Sequence, residues 1–397
     1  MNGKEILQNG PLLLDGATGS NLMAAGLPAG VCVEQWVLDH PDVLQRLQQD
    51  FVAAGARVVL APTFGANPQK LAAYGLAEQT EDFNHRLVAL SRRAVGNAAW
   101  VAGDLSPSGL FLPPMGTASF ADLCAVYDRQ LAALQSAGVD LVVIETQMTL
   151  ADARAALLCA KARGMTALVT ITVEAGGRTL TGLSLPAAVV TLQAMGADGV
   201  GLNCSCGPAA MAALLQKAAA YAAVPLIAKP NAGEAGDPLP PEAFAAQAAA
   251  LADAGASLIG GCCGTTPAHL ACLHRALADH APPALPQAAQ NRLADERDVY
   301  DLPPAGKEET FAASPDLMDD MMDADDEAEL AVITLQTPAD AAFLADALPL
   351  CRKPVCFAAD DTAALEAALQ AYQGRALVAG AGVTADLLTR YGALRRD

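Results

Sequence analysis

The apolar positions of the first 280 residues repeat one pattern. A stretch rich in Ala and Leu, with helical spacing, ends at a glycine, and a short β-branched run follows. "FVAAGARVVLAPTFG" (51–65), "QSAGVDLVVIETQ" (135–147), "QAMGADGVGLNCS" (193–205) and "ADAGASLIGGCCGT" (252–265) all have this form. Glycine suits the left-handed position just past a helix. The apolar runs do not alternate with polar residues, so both faces of each strand are buried, as in parallel strands covered by helices. Eight runs occur, at 12–18, 57–65, 100–109, 141–147, 166–176, 199–205, 225–233 and 257–265. Helical stretches separate them, among them 118–137, 150–163 and 241–254. Eight strand–helix units of this size predict an α/β fold, a (β/α)8 TIM barrel over residues 1–282. A doubly wound open sheet is the alternative. The first unit lacks the G-x-G-x-x-G phosphate loop, which weakens a dinucleotide-binding reading.

The pattern changes after Pro282. Residues 283–328 are rich in Pro, Ala and acid and hold no sustained period, which predicts an acidic linker. Asp316 to Glu329 alone carries eight carboxylates and no base. Three further apolar runs, 329–335, 353–359 and 375–381, alternate with two helical stretches. They predict a small βαβ appendage over 329–397, which could fold only by packing on something else or as a minimal layer.

Composition narrows the chemistry. The net charge of −19 argues against a nucleic-acid partner. No apolar run is long enough to span a membrane, and the first residues lack the pattern of a signal peptide. The expected place is the cytoplasm, where ten cysteines read as thiols or ligands rather than a disulfide framework.

In a TIM barrel the C-terminal ends of the strands meet at one mouth. Strands six and eight end in "GLNCSCGP" (201–208) and "GGCCGTTP" (260–267). Cys204, Cys262 and Cys263 therefore converge there, and three gathered thiols suggest zinc. A fourth position is left open. Cys206 shares the strand end but reads as structural, as do the six remaining cysteines, small buried hydrophobes in their plainest reading. Three thiolates make zinc a poor activator of water, and none of the five histidines lies at a strand end. A thiol in the fourth position would instead be held as a nucleophilic thiolate. The site reads as a thiol activator, and the reaction as transfer of an electrophilic carbon to sulfur.

"LLLDGATGSNL", "PTFGANPQKLAAYGL", "IETQMTLADARAAL", "GLNCSCGP", "KPNAG" and "GGCCGTTPAHL" occur in that order. Together they resemble the zinc-dependent homocysteine S-methyltransferase family over about residues 10–280. The cysteine motifs look closest to the homocysteine-binding module of cobalamin-dependent methionine synthase. The resemblance implies that Cys204, Cys262 and Cys263 ligate Zn2+. It implies that Asp15 and Glu145 hold the substrate ammonium, which needs carboxylate acceptors. It also brings Asn203 into the substrate site. Backbone N–H groups near Gly16 and Ala17 suit the substrate carboxylate. Asn231 either takes the fourth metal position when substrate is absent or simply turns the chain after strand seven.

Beyond residue 282 the resemblance ends. No D-x-H-x-x-G corrinoid motif is present, and the last 70 or so residues resemble only part of a pterin-binding barrel. These last residues read as a truncated remnant, a docking element for a partner, or else the chain reads as a piece of a longer protein. The expected activity is methyl transfer to the thiol of L-homocysteine to give methionine. The expected donor is methyl-cobalamin on a separate corrinoid protein, with S-methylmethionine as the other donor. A non-catalytic zinc barrel is a rival; it would close the metal with a fourth protein sulfur, Cys206 being the obvious one. A zinc hydrolase is disfavoured by the ligand charge.

Overall fold

Each of the eight apolar runs becomes a strand in the computed structural model, which describes residues 12–234, 237–281, 291–324 and 327–396. The strands are β1 (Leu12–Leu13), β2 (Val58–Leu60), β3 (Trp100–Leu105), β4 (Leu141–Gln147), β5 (Ala167–Ile171), β6 (Gly199–Cys204), β7 (Leu226–Pro230) and β8 (Ala256–Ile259). All neighbours are parallel, in the order β1-β8-β7-β6-β5-β4-β3-β2. A parallel bridge from Leu14 to Val58 joins the two ends and closes the TIM barrel.

Side chains one residue apart point to opposite faces. Leu14, Val58, Leu60, Ala102, Leu141, Val143, Leu168, Ile227 and Leu258 point inward and fill the barrel. Their neighbours, such as Val59, Val101, Val142, Val169 and Leu202, point outward into the larger core beneath the helices. One strand must come unusually near the next. A Cβ on Gly201 would lie 2.0 Å from the carbonyl oxygen of Ile227, so β6 and β7 can pair there only through glycine. The helices start and stop as their sequences dictate. Phe120–Ala137 opens on a Ser119–Asp122 capping box and ends at Gly138, with φ 79° in the left-handed region.

The segment expected to be an acidic linker departs from that reading. It holds an antiparallel ribbon, β9 (Arg292–Ala294) with β10 (Val299–Asp301), then strand β11 (Glu308–Ala312) and helix Leu317–Met322. Residues 283–290, 325 and 326, also part of that segment, lie outside the described residues. The βαβ appendage is correspondingly larger. Strands β11, β12 (Leu330–Thr334), β13 (Val355–Ala358), β14 (Leu377–Ala379) and β15 (Leu394–Arg395) form one five-stranded parallel sheet in chain order. Two apolar anchors among the acids account for the difference. Phe311 and Leu317 are buried in the core of this unit, while the carboxylates around them face water or a base. Glu308 reaches Arg396 of the far edge at 2.9 Å, so the sheet is curled. One face packs on its helices, and the other receives Leu293 and Tyr300 of the β9–β10 ribbon.

The unit is docked on the barrel. Arg154 of helix Leu150–Ala162 is fully buried and donates to the carbonyls of Tyr372 and Leu369. At Gly392 the chain runs so near helix Leu185–Ala194 that an added Cβ would sit 2.7 Å from the Ala194 carbonyl carbon.

Candidate metal centre

Two turns at the barrel mouth bring the thiols together. Strand β6 ends at Cys204, where the chain turns through left-handed backbone at Cys204 (φ 57°) and Ser205 (φ 60°). Such conformations are costly outside glycine and persist only where surrounding bonds enforce them. Here the Ser205 hydroxyl donates to the Asn203 carbonyl at 3.0 Å and accepts from the Val173 N–H at 2.8 Å. After β8 a tight turn is fixed by backbone. The Cys262 N–H donates to Pro230, and the Cys262 carbonyl accepts from the Thr265 N–H and hydroxyl.

The sulfurs of Cys204, Cys262 and Cys263 all lie within 4.8 Å of one another. Cys204 Sγ and Cys263 Sγ are 3.7 Å apart. Tetrahedral zinc with bonds of about 2.3 Å has ligand sulfurs about 3.8 Å apart, so spacing and donor chemistry both fit that ion. Cys206 is not in the cluster. Burial lifts its thiol to about 11, helped by the charge of Glu234. The Asn231 N–H donates to the Cys206 carbonyl, and its buried Oδ1 has no partner.

Beside the thiols lies a layer of polar side chains, one step above the aliphatic filling. Asp104, Thr170, Asn203 and Lys229 follow Ala102, Leu168, Gly201 and Ile227 by two residues, and so share their inward face. Asn203 Oδ1 accepts from the Thr146 N–H and the Thr170 hydroxyl; its amide donates to the Thr146 hydroxyl and lies 3.8 Å from Cys262 Sγ. Glu145 is buried, and its Oε2 holds Lys229 Nζ at 2.6 Å. Burial works against the Lys229 ammonium, but the charges of Glu145 and Asp15 outweigh it and raise its pKa above the usual range. Asp15 accepts the Leu60 N–H on Oδ2 at 2.8 Å, while its Oδ1 has no partner.

The Ala17 N–H, read as a donor for a substrate carboxylate, is committed to Thr265 Oγ1 at 3.1 Å. It ties the first loop to the cysteine turn, as does the Gly264 N–H on the Ser20 hydroxyl. Sequence reading missed Asp104, Thr146, Thr170 and Lys229. For Asp104, Thr170 and Lys229 a signal existed: counting by two from the inward aliphatics reaches each of them.

Burial pushes the Asp15 carboxyl up to about 7, against the pull of Lys229 and the Leu60 N–H. The folded chain therefore binds this proton more tightly than the unfolded chain, whose carboxyl titrates near 3.8. The associated stability is complete below the lower value and is lost as pH rises through the higher one. In metal-free protein, Asp15→Asn should remove a decline of up to about 1.4 kcal/mol per pH unit across that window. Urea midpoints at about pH 4.5 and about pH 7 measure it. Equal declines in parent and variant would place the titration elsewhere.

Comparison with known proteins gives one consistent answer. The sequence pattern of the homocysteine S-methyltransferase family matches residues 12–277. The methionine synthases of Mycobacterium tuberculosis and Mycobacterium leprae are each 33% identical over 293 residues, covering 67% of this chain and 24% of theirs. The chain thus spans about a quarter of the length of these relatives. Among solved structures, the metallated form of the homocysteine methyltransferase MmuM from Escherichia coli superposes with a TM-score of 0.59 at 28% identity, covering 68% of this chain and 96% of that one. Its oxidized form gives 0.60 at 27% identity, with 69% and 99% covered.

Proposed function

The chain belongs to the homocysteine S-methyltransferase family, and from that premise we propose that it methylates the thiol of L-homocysteine to give methionine, with Cys204, Cys262 and Cys263 holding a zinc ion. The observation that carries this is the cluster of three sulfurs beside buried carboxylates, within one barrel mouth. When bound, such a zinc lowers the pKa of a thiol placed in its open position and keeps it nucleophilic near neutral pH. The absence of Cys206 from the cluster favours an open position over a closed structural metal.

The protein's own groups bind and orient. Asp15 offers its unpartnered oxygen to the substrate ammonium, and Glu145 stands beside it with Lys229 as its counter-charge. Asn203 bridges Thr146 and Thr170 and steadies Cys262. Gly16 lies in the same loop, and Asn231, whose N–H donates to the Cys206 carbonyl, carries an unpartnered Oδ1. In the reaction the substrate thiol gives its proton to solvent. Its sulfur forms a bond to the methyl carbon as the methyl–donor bond breaks, and that electron pair leaves with the donor.

The donor we favour is methyl-cobalamin carried by a separate corrinoid protein. Identity to the two methionine synthases, 33%, exceeds the 28% to MmuM. We read the C-terminal sheet as resembling part of a pterin-type barrel: its five parallel strands run in chain order with helices between them, as the units of a βα-barrel do.

The test is calorimetry of homocysteine binding to zinc-loaded protein in buffers of different ionisation enthalpy. Close to one proton should be released near neutral pH. Zinc-edge absorption should change from three sulfurs to four. An unchanged sulfur count would refute thiol ligation. Turnover with S-methylmethionine and none with methyl-cobalamin would reassign the donor.

A further inference from the structure

Asp104 was not singled out by its motif, yet it occupies an unusual position. It lies at the C-terminal end of β3, inward-facing, and is 7% exposed. Its backbone is held without help from its side chain: the Asp104 N–H donates to the Thr63 hydroxyl at 2.9 Å, and that hydroxyl donates to the Asp104 carbonyl at 2.9 Å. Its Oδ1 is buried with no hydrogen-bond partner. A buried carboxylate oxygen without a donor is costly. Such an orphan is expected where a ligand completes the site.

The neighbours identify the missing donor. Asp15 has a second orphaned oxygen, Oδ1, and is 1% exposed. Asp104 pairs in register with inward-facing Val143, two residues before Glu145, and Glu145 holds Lys229, so these groups line the same mouth, where Asp15 also adds its charge. Lys229 is engaged by Glu145. Three carboxylates thus face one lysine, an excess that calls for a further cation with several hydrogens to donate.

We propose that Asp104 is a substrate-binding residue that accepts a hydrogen bond from the α-ammonium of the thiol substrate on its unpartnered Oδ1. An ammonium carries three donors, and Asp15, Asp104 and Glu145 supply three acceptors. Glu145 alone would serve poorly, because Lys229 already draws on its charge. The inference rests on the homocysteine reading and sharpens it: Asp104 makes the site select thiols that bear an amino group. Burial, followed by the repulsion of Glu145, raises the Asp104 carboxyl well above the usual range when no substrate is bound. That agrees with a carboxylate that lacks its cation.

The test compares zinc-loaded parent and Asp104→Asn protein, by calorimetry, with homocysteine and with 4-mercaptobutanoate, which lacks the amino group. Asparagine keeps the shape and the Thr63 bonds, and zinc content and thermal unfolding report whether the variant is intact. Homocysteine affinity should fall about ten- to hundred-fold, as for loss of one charged hydrogen bond, while 4-mercaptobutanoate affinity stays within about two-fold. The preference for the amino thiol would then shrink by the same factor. Unchanged homocysteine affinity, or equal loss for both thiols in an intact variant, would overturn the role of Asp104 and leave the homocysteine reading standing. A parent protein that binds neither thiol would overturn both. If Asp104→Asn fails to fold, Asp104→Glu provides the second variant: it keeps the charge but displaces it, and must weaken homocysteine alone.

Discussion

Replacing Cys262 with alanine should give a folded protein that holds well under one zinc per chain and methylates homocysteine at least about a hundred-fold more slowly than the parent. Changes merely to groups behind metal ligands reach that size. The turn should survive, because its bonds are made by backbone: Cys262 N–H to Pro230, and Cys262 carbonyl to Thr265. Alanine keeps all of them. The barrel filling, Leu14 to Leu258, lies one layer below the thiols and does not include Cys262. Two sulfurs cannot offer zinc the three-sided seat that Cys204, Cys262 and Cys263 form together. Cys206→Ala is the matched control, since its thiol stands outside the cluster, and it should keep its metal. Metal analysis, circular dichroism and initial rates decide the matter. Full zinc in Cys262→Ala would remove the site as described.

The barrel was legible because burial on both faces leaves an unbroken apolar run, and all eight runs form strands. The thiol cluster was legible because barrel topology turns sequence distance into a rule: strand ends meet. Asp15 and Glu145 were singled out only through resemblance; the structure shows both to be buried. Asp104 and Lys229 sit on the same polar layer but looked like ordinary charged residues beside a Pro or a turn. The register that pairs Asn203 with Lys229 and Asp104 with Val143 fixes which alternate positions face inward, and only then does counting by two reach them. The acidic 316–329 stretch misled for a different reason. Charge density there hides the apolar contacts that decide packing, Phe311 just before it and Leu317 within it. An amphipathic edge with a single buried residue per turn leaves no period to read. Nor could sequence reveal that Ala17's N–H meets Thr265, a contact between residues 248 positions apart.

The second large effect concerns how the C-terminal unit is held. Helix Thr362–Ala371 ends facing the barrel, and the last carbonyls of any helix lack donors of their own. Arg154, from barrel helix Leu150–Ala162, supplies them. Its guanidinium donates to the carbonyls of Leu369 and Tyr372 and stacks over the Phe120 ring with its centre 5.6 Å away. A cation is also well placed at that end of the helix dipole. Burial lowers the arginine's pKa to about 10, so it stays charged at neutral pH. Arg154→Ala leaves two buried carbonyls without donors and should destabilise the C-terminal unit by roughly 3–5 kcal/mol. Arg154→Lys should recover only part of this, because an ammonium cannot reach both carbonyls with one planar fork. In urea, the transition reported by Tyr372 and its neighbours should move to lower concentration. Zinc content and homocysteine affinity should hold, because every residue of the thiol and carboxylate layer comes from β1–β8 and the loops that follow them. An unchanged midpoint would mean that the Gly392–Ala194 contact and the apolar packing at Leu158 hold the unit without the arginine. Loss of zinc together with the C-terminal unit would mean that this unit supports the barrel mouth itself.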